Sequence, residues 1–551
     1  MTRSNSTLRN GLLFCLCSLI AVGATMDAAR AAVQPPTQTA HDNRAGQLVS
    51  EAIAALERGD EATAKASFER ALVIEPNNVT AHTYLGVLAD RAGNLKEAER
   101  HFAAAAIAAP LLPSARNNHG AILIKLGRTQ QAVKQFEASL RLDKNQPSAL
   151  FNLAQIRFSE GTPESLRAAR SLFEQAYALA PDAEMARALT IVALREVDRD
   201  AATRFYQKYT AQLTHASVES LPKPAARAEL GGALLEAGLT KEAVAELTPA
   251  VLADPSNAAA IVWLARAFLS LKDIPAAGRT LEAAVARGIE SAPIYALLAD
   301  VYQQSGHIEN AIPAMRLAIQ SDPQSESYRF KYGMLLTNAL APAAAIIRLE
   351  EALKLFPRSP RLWFALGVAQ FKQSRNDEAA KAFQRALEFD MKFAPALAYL
   401  GLTFEELGQY DEALKLYDQS LVVDEKMAVA SYLAATALLK QNSVDLARVK
   451  TYLARAIELD ASFAEARLAL AKVFIRENRF AEAVGELERV AKLAPDFAET
   501  YYHLGRLYVR LKRQAEAQAA IATFKRLSEL QKEQTQSERR EIVRRLANVN
   551  F

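Results

Sequence analysis

HTYLGVLADRAGNLKEAERHFAAAAIAAP, residues 82–110, is the stretch of sequence that decides the fold. Apolar residues recur at helical spacing up to Gly93, and a second helical segment runs from Leu95 to Pro110. Gly93 can adopt the left-handed backbone that ends a helix, and Pro110 cannot continue one because it has no backbone N–H to donate. The stretch therefore predicts two antiparallel helices joined by a tight turn.

The same pattern recurs at a regular interval of about 34 residues along most of the chain. Small residues mark the period at Ala52, Gly86, Gly120 and Ala154 and again from Gly231 to Ala435. A small residue lets the two helices of a hairpin approach closely, and we expect Leu85 and Phe102 to fill the space beside Gly86. A large residue should not fit there. About 14 such units lie between Gly46 and Leu530.

These units resemble the tetratricopeptide repeat, whose pattern is met at Trp363-Leu366-Gly367 with Ala379-Phe383 and at Tyr501-Leu504-Gly505-Tyr508. The resemblance implies an all-α fold, namely an α-solenoid in which about 14 antiparallel helix hairpins form a right-handed superhelix in two stacks. It also implies that the first helix of each hairpin lines a concave groove. In this family the groove usually holds an extended or helical segment of another protein.

Composition and the positions of helix-breaking residues divide the chain into six predicted regions. They are a signal peptide (1–31), a flexible linker (32–45), an N-terminal stack of about five repeats with the fifth degenerate (46–213), a hinge (214–225), a C-terminal stack of about nine repeats whose last is completed by the following helix (226–514), and a capping helix with a charged tail (515–551). Extra residues near Thr162 to Ser165 are expected to lengthen a turn between two helices, because turns tolerate insertions.

The N-terminal segment has the features of an export signal. Arg3 and Arg9 precede an apolar run over residues 12–24, and Ala29-Arg30-Ala31 supplies small residues for cleavage. The run is too short to span a bilayer comfortably. We therefore expect an exported protein, in the bacterial periplasm or secreted. The open alternative is an uncleaved N-terminal anchor, which is the one membrane attachment that the sequence suggests.

No catalytic residue, cofactor site or metal site is expected, and the chain is interpreted as a non-enzyme. The sequence has no glycine-rich phosphate loop, no H-E-x-x-H pair and no G-x-S-x-G elbow. Cys15 and Cys17 lie in the apolar run, and no two of the seven histidines fall four residues apart, so a convergent ligand set is not expected. A formal net charge of +4 is small for a protein that neutralises many phosphates, so nucleic acid is not expected as a partner.

Candidate partner-binding residues lie at sites expected to face the groove. Asn118 and Asn152 stand one repeat apart, where an amide can bond a peptide main chain, although asparagine is also simply common at this site. The second stack carries aromatic residues at Trp263, Phe330, Phe364, Phe371, Tyr399 and Tyr432. Some of these rings are expected to pack between helices and the rest to anchor a partner.

The far end of the groove turns basic at Lys472, Arg476, Arg506 and Arg510. This surface suits an acidic partner segment, an anionic glycan or a phospholipid surface, with ordinary solvated charge as the alternative.

The leading functional interpretation is an interaction scaffold outside the cytoplasm that binds protein or peptide segments in its groove. By analogy with similar exported repeat proteins, it would serve the assembly of an envelope, secretion, pilus or exopolysaccharide-export complex. The alternative is a carbohydrate-binding or polymer-guiding periplasmic module, with an anionic polysaccharide as its ligand.

Overall fold

The computed structural model describes residues 40–214, 222–441 and 445–531. These residues form 28 α-helices and contain no β-strand. Consecutive helices pair into hairpins, which we number as repeats 1 to 14, each with a first and a second helix. The predicted all-α solenoid of about 14 hairpins is confirmed.

The chain divides into two compact units between Ile289 and Glu290. The first unit contains repeats 1 to 7. Its helices, taken two per repeat, are α1 Ala40–Glu57, α2 Glu61–Ile74, α3 Val79–Arg91, α4 Leu95–Ala108, α5 Pro113–Lys125, α6 Thr129–Leu142, α7 Pro147–Glu160, α8 Pro163–Leu179, α9 Ala183–Arg195, α10 Arg199–Leu213, α11 Pro224–Glu236, α12 Thr240–Ala253, α13 Ala258–Ser270 and α14 Ile274–Ala286.

The second unit contains repeats 8 to 14. Its helices are α15 Ala292–Gln304, α16 Ile308–Ser321, α17 Glu326–Asn338, α18 Pro342–Leu355, α19 Pro360–Lys372, α20 Asn376–Phe389, α21 Ala394–Glu406, α22 Tyr410–Val423, α23 Ala428–Lys440, α24 Leu446–Leu459, α25 Ala464–Arg476, α26 Phe480–Leu493, α27 Ala498–Arg510 and α28 Gln514–Gln531.

A left-handed residue ends the first helix of most repeats. Gly93 has φ 79°, as its role as a helix terminator predicts. In repeats that lack this glycine another residue adopts the same conformation, including Val197 at φ 61° and Leu340 at φ 57°. The hairpin therefore requires the left-handed conformation at this position. A residue with a Cβ adopts that conformation at a cost in backbone strain.

The two helices of a hairpin approach most closely at the small residues that mark the repeat period. A Cβ added to Gly86 would lie 2.8 Å from Phe102 Cε1, and one added to Gly367 would lie 2.6 Å from Phe383 Cε1. Phe102 and Phe383 are buried, and so is Leu85. The predicted close approach beside Phe102 is confirmed, whereas Leu85 packs in a separate cluster with Phe68 of repeat 1.

Within each unit the first helices of successive repeats lie closer together than the second helices. In the first unit α9 contacts α11 and α11 contacts α13, and in the second unit α17 contacts α19. Among the described residues, no pair of second helices from successive repeats shares contacts as extensive. The first helices therefore line the inner side of each unit, and we call their exposed surface the inner face.

The prediction that extra residues lengthen the turn of repeat 4 is wrong. The turn contains only Gly161 and Thr162, and the extra residues lengthen α8 to 17 residues. The Thr162 hydroxyl accepts from the Ser165 N–H, and the Ser165 hydroxyl accepts from the Thr162 N–H, so a capping box starts the helix at once.

Residues 215–221 of the predicted hinge lie outside the described residues. On either side of them, α9 and α10 share one hydrophobic cluster with α11 and α12. A buried carboxylate joins the same helices, because the hydroxyls of Tyr206 and Tyr209 donate to Glu246 at 3.0 and 3.1 Å. Burial raises the pKa of Glu246. The hinge at 214–225 and the division into two stacks stay predictions.

The signal peptide (1–31), most of the linker (32–45) and the tail beyond residue 531 also lie outside the described residues. The first helix already begins at Ala40, within the predicted linker. At the other end α28 packs on α27 as the second helix of repeat 14. In the part of the chain that the structure covers, no helix has both the length and the apolar character of a membrane span.

Candidate functional site

The inner face of repeats 3 and 4 carries a cluster of amide side chains, Asn117, Asn118, Asn152 and Gln155, which we call the amide site. Asn152 Nδ2 donates to Asn117 Oδ1 at 3.3 Å, which is long for such a hydrogen bond. Asn118 is buried, and its Oδ1 has no hydrogen-bond partner among the described residues; the same holds for Nε2 of Gln155. These two atoms are enclosed, so the members of the site that a peptide main chain can reach are the half-buried side chains of Asn117 and Asn152.

The sequence pattern pairs Asn118 with Asn152, whereas the structure joins Asn152 to Asn117. Sequence reasoning missed Asn117 and Gln155. Asn117 directly precedes Asn118, and Gln155 lies three residues after Asn152, so a search for amides at helical spacing on the same two helices could have found both. The partner-binding role of Asn118 and Asn152 stays a prediction.

Trp263 lies half-buried on the first helix of repeat 7. Its ring covers Gly232 of α11, because a Cβ added to that glycine would lie 3.0 Å from Trp263 Cδ2. The indole thus packs between the first helices of two successive repeats and leaves only part of its surface exposed.

Four of the six aromatic residues expected at the groove of the predicted C-terminal stack are core residues. Phe330, Phe364, Phe371 and Tyr399 are all buried. The centroid of the Phe364 ring lies 5.1 to 5.8 Å from the ring centroids of Phe383, Phe393 and Tyr399. The sixth, Tyr432, is half-buried, with its ring centroid 5.1 Å from that of Phe463. These rings pack between helices and do not form an exposed aromatic surface in this conformation.

Ion pairs between successive first helices cross the inner face, and sequence reasoning missed them. Lys125 Nζ lies 2.7 Å from both carboxylate oxygens of Asp90, and Lys440 Nζ lies 2.6 Å from Glu405 Oε1. Glu405 is buried and also accepts from the Tyr417 hydroxyl at 2.9 Å. An acid followed one repeat and one position later by a lysine is the sequence signal that could have found both pairs.

The basic residues predicted at the end of the second unit lie on α25 and α27, the first helices of repeats 13 and 14. Lys472 Nζ pairs with Glu499 Oε1 at 2.5 Å, and His503 Nε2 lies 3.4 Å from the same oxygen. The hydrogen bond with His503, reinforced by Lys472, lowers the pKa of Glu499 to about 2. Arg476, Arg506 and Arg510 are exposed, and the Arg510 guanidinium lies over the Phe480 ring of the second helix α26. The partner-binding role of the four cations stays a prediction.

The described residues contain no group of three or more His, Cys, Asp or Glu side chains that could hold a metal ion. Two histidines do meet in repeat 2, where His82 Nδ1 lies 3.0 Å from His101 Nδ1. Burial, followed by the neighbouring His82, lowers the pKa of His101 to about 4. This pair joins the two helices of one hairpin and is expected to affect stability.

The family is settled by comparison with known sequences. The pattern of the tetratricopeptide repeat matches residues 49–113, 118–184, 339–392, 400–462 and 468–530, which is more than half of the chain. The chain is a tetratricopeptide-repeat protein. Further patterns of the same repeat match residues 234–288, 292–325 and 382–415. Proteins of this family are generally non-catalytic scaffolds for protein interactions.

Two relatives share only part of their length with this tetratricopeptide-repeat protein. A 185-residue match is 27% identical to anaphase-promoting complex subunit 3 of Schizosaccharomyces pombe and covers 33% of this chain and 27% of that protein. A 152-residue match is 23% identical to TPR repeat-containing protein YpiA of Bacillus subtilis and covers 28% of this chain and 36% of that protein.

Among solved structures, the crystal structure of the APC/C hetero-tetramer Cut9-Hcn1 aligns with 78% of this chain and 96% of that chain, at 16% identity and a TM-score of 0.38.

Proposed function

We propose that this tetratricopeptide-repeat protein is a non-enzymatic scaffold that binds polypeptide segments on the inner face of its first helices. The amide site of repeats 3 and 4 is the observation that carries the proposal. An amide side chain can donate to a peptide carbonyl and accept from a peptide N–H at once, so it binds a main chain without selecting its side chains. The long bond between Asn152 and Asn117 can be exchanged for such contacts at little cost.

The test uses affinity purification of the tagged full-length protein from its host. The double variant N152A/Q155A removes two amides from the inner face, and Q131A/Q175A removes two exposed amides from the second helices α6 and α8 as a matched control. We expect a defined set of co-purified proteins to be lost with the first variant and kept with the second. An unchanged set with N152A/Q155A would contradict the amide site.

We further propose that the scaffold works outside the cytoplasm, most simply in the bacterial periplasm, in the assembly of an envelope, secretion, pilus or exopolysaccharide-export complex. The basic, apolar and small-residue segments of the predicted signal peptide (1–31) support this location. The mass of the protein purified from its host tests it. Loss of the predicted signal peptide is expected, and a full-length mass would favour the N-terminally anchored alternative.

The carbohydrate-binding alternative has less support. It rests on the aromatic and basic residues expected at the groove, and four of the six aromatic residues are buried. Stacking of a sugar ring needs an exposed aromatic face, so these four residues cannot supply it in this conformation.

A further inference from the structure

The inner face of repeats 13 and 14 separates its cations into two groups. Arg467 on α25 pairs with Glu486 at 3.0 Å, and Lys472 pairs with Glu499. Arg476, Arg506 and Arg510 have no carboxylate within 4.0 Å among the described residues. The first helices at this end therefore leave three guanidinium groups without a counter-charge while their neighbours are neutralised.

The three unneutralised arginines occupy related positions. Arg506 and Arg510 lie one turn apart and so share a face of α27. Arg476 holds on α25 the position that Arg510 holds on α27, one repeat earlier. Like charges one helical turn apart repel each other, and a ligand that brings negative charge to this face relieves that repulsion.

Two of these guanidinium groups are held in place by aromatic rings. Arg510 Cζ lies 4.0 Å from the ring centroid of Phe480, and Arg506 Cζ lies 5.5 Å from that of Tyr502. Arg506 Nη1 also donates to the Tyr502 hydroxyl at 3.1 Å. A guanidinium braced in this way keeps its charge and loses less side-chain freedom when it binds a carboxylate.

Apolar surface lies between the charges. Tyr502 and Val509 are 41% and 61% exposed, and their spacing from Arg506 places all three on one stripe of α27. A mixed surface of this kind suits a polypeptide, which presents carboxylates and apolar side chains together, better than a uniformly charged polymer. The face also already holds one carboxylate of its own, that of Glu499 against Lys472 and His503.

We propose that the inner face of repeats 13 and 14 binds an acidic polypeptide segment whose Asp and Glu carboxylates pair with Arg476, Arg506 and Arg510. The chain's own residues 532–551 do not fit this role, because they carry five Lys and Arg against three Glu. The proposed occupant is an acidic segment of a partner protein. This inference extends the proposed scaffold function to a second site with its own ligand chemistry, and it does not depend on the amide site.

The test measures binding of a fluorescent peptide of alternating glutamate and leucine to the full-length protein by anisotropy. The same peptide with glutamine in place of glutamate is the neutral probe. R506Q/R510Q removes two of the proposed contacts. R455Q/R489Q is the matched control, because it removes the same charge from second helices, where Arg455 pairs with Glu458 and Arg489 with Glu486.

We expect the acidic peptide to bind more tightly than its neutral counterpart, and R506Q/R510Q to weaken it by about tenfold or more while R455Q/R489Q leaves it unchanged. Binding should also weaken as salt rises, because the contacts are exposed. Equal binding of the two peptides, or equal loss in both double variants, would overturn the proposal. So would preferential binding of sulfated polysaccharide or phosphatidylglycerol vesicles.

The N152A/Q155A variant distinguishes this result from failure of the amide site. The acidic peptide should bind this variant as tightly as the wild type. Circular dichroism of each variant checks that the helices remain folded.

Discussion

Replacing Gly367 by alanine should destabilise repeat 10, although alanine is the better helix former. The new Cβ would lie 2.6 Å from Phe383 Cε1, far closer than the roughly 3.5–4.0 Å at which carbon atoms attract. Phe383 is fully buried and packs against Phe364 and Tyr399, with centroid distances of 5.8 and 5.5 Å, so its ring cannot move away freely.

Overpacking in a well-filled core costs about 1–3 kcal/mol, and the confinement of this ring favours the upper end. The gain in helix propensity on replacing glycine by alanine offsets about 1 kcal/mol. The expected net loss is therefore about 2 kcal/mol, or about thirtyfold in a local opening equilibrium. Gly485 on α26 is the matched control, because a Cβ there meets no atom within 4 Å and G485A should stabilise its helix by about 1 kcal/mol.

Amide hydrogen exchange resolved along the chain is the appropriate assay, since a repeat contacts mainly its neighbours and can open locally. Exchange in α19 and α20 should become about thirtyfold faster in G367A, and exchange in α26 should become slower in G485A. Equal or slower exchange of α19 and α20 in G367A would refute the argument that the small residue is required by the close approach of the two helices.

Three further predictions concern strain, pH and a buried carboxylate. V197G should stabilise the protein by about 1 kcal/mol in urea unfolding, because Val197 is 88% exposed and adopts φ 61°, which strains a β-branched residue more than glycine. The lowered pKa of His101 means that the unfolded chain binds its proton more readily. Stability should therefore fall as the pH drops from about 6.5 to about 4, and H101F should abolish this dependence. E246A should cost about 3 kcal/mol because it leaves the buried Tyr209 hydroxyl without a hydrogen-bond partner and removes the shorter of the two hydrogen bonds of the Tyr206 hydroxyl. A loss below about 1 kcal/mol in thermal unfolding would contradict the buried network.

Most of the fold follows from periodicity. Small residues such as Gly86 recur at a fixed interval because the same close contact between two helices is repeated in each hairpin. The hairpins and their turns were therefore predictable from the sequence. The 17-residue length of α8 was not predictable. The extra residues could equally have lengthened the turn before the helix, and the capping box at Thr162 is what places them in the helix.

The site was less predictable than the fold. The repeat period assigns Tyr399 and Trp263 to the same position of their repeats, but whether a ring is buried depends on the residues of the neighbouring repeats that cover it. The partner of Asn152 is likewise set by the stacking of two repeats rather than by the period itself. The positions of basic residues can be read directly from the sequence. Which of them lack a carboxylate partner became clear only from the packing of the helices.

Site-specific photo-crosslinking in the host tests the central claim most directly. A photoreactive amino acid is placed at Asn152 on the inner face, and in a separate protein at the exposed Gln175 of the second helix α8. Binding on the inner face predicts discrete polypeptide adducts at position 152, identified by mass spectrometry, and none of them at position 175. The same adducts at both positions, or adducts only at position 175, would contradict it.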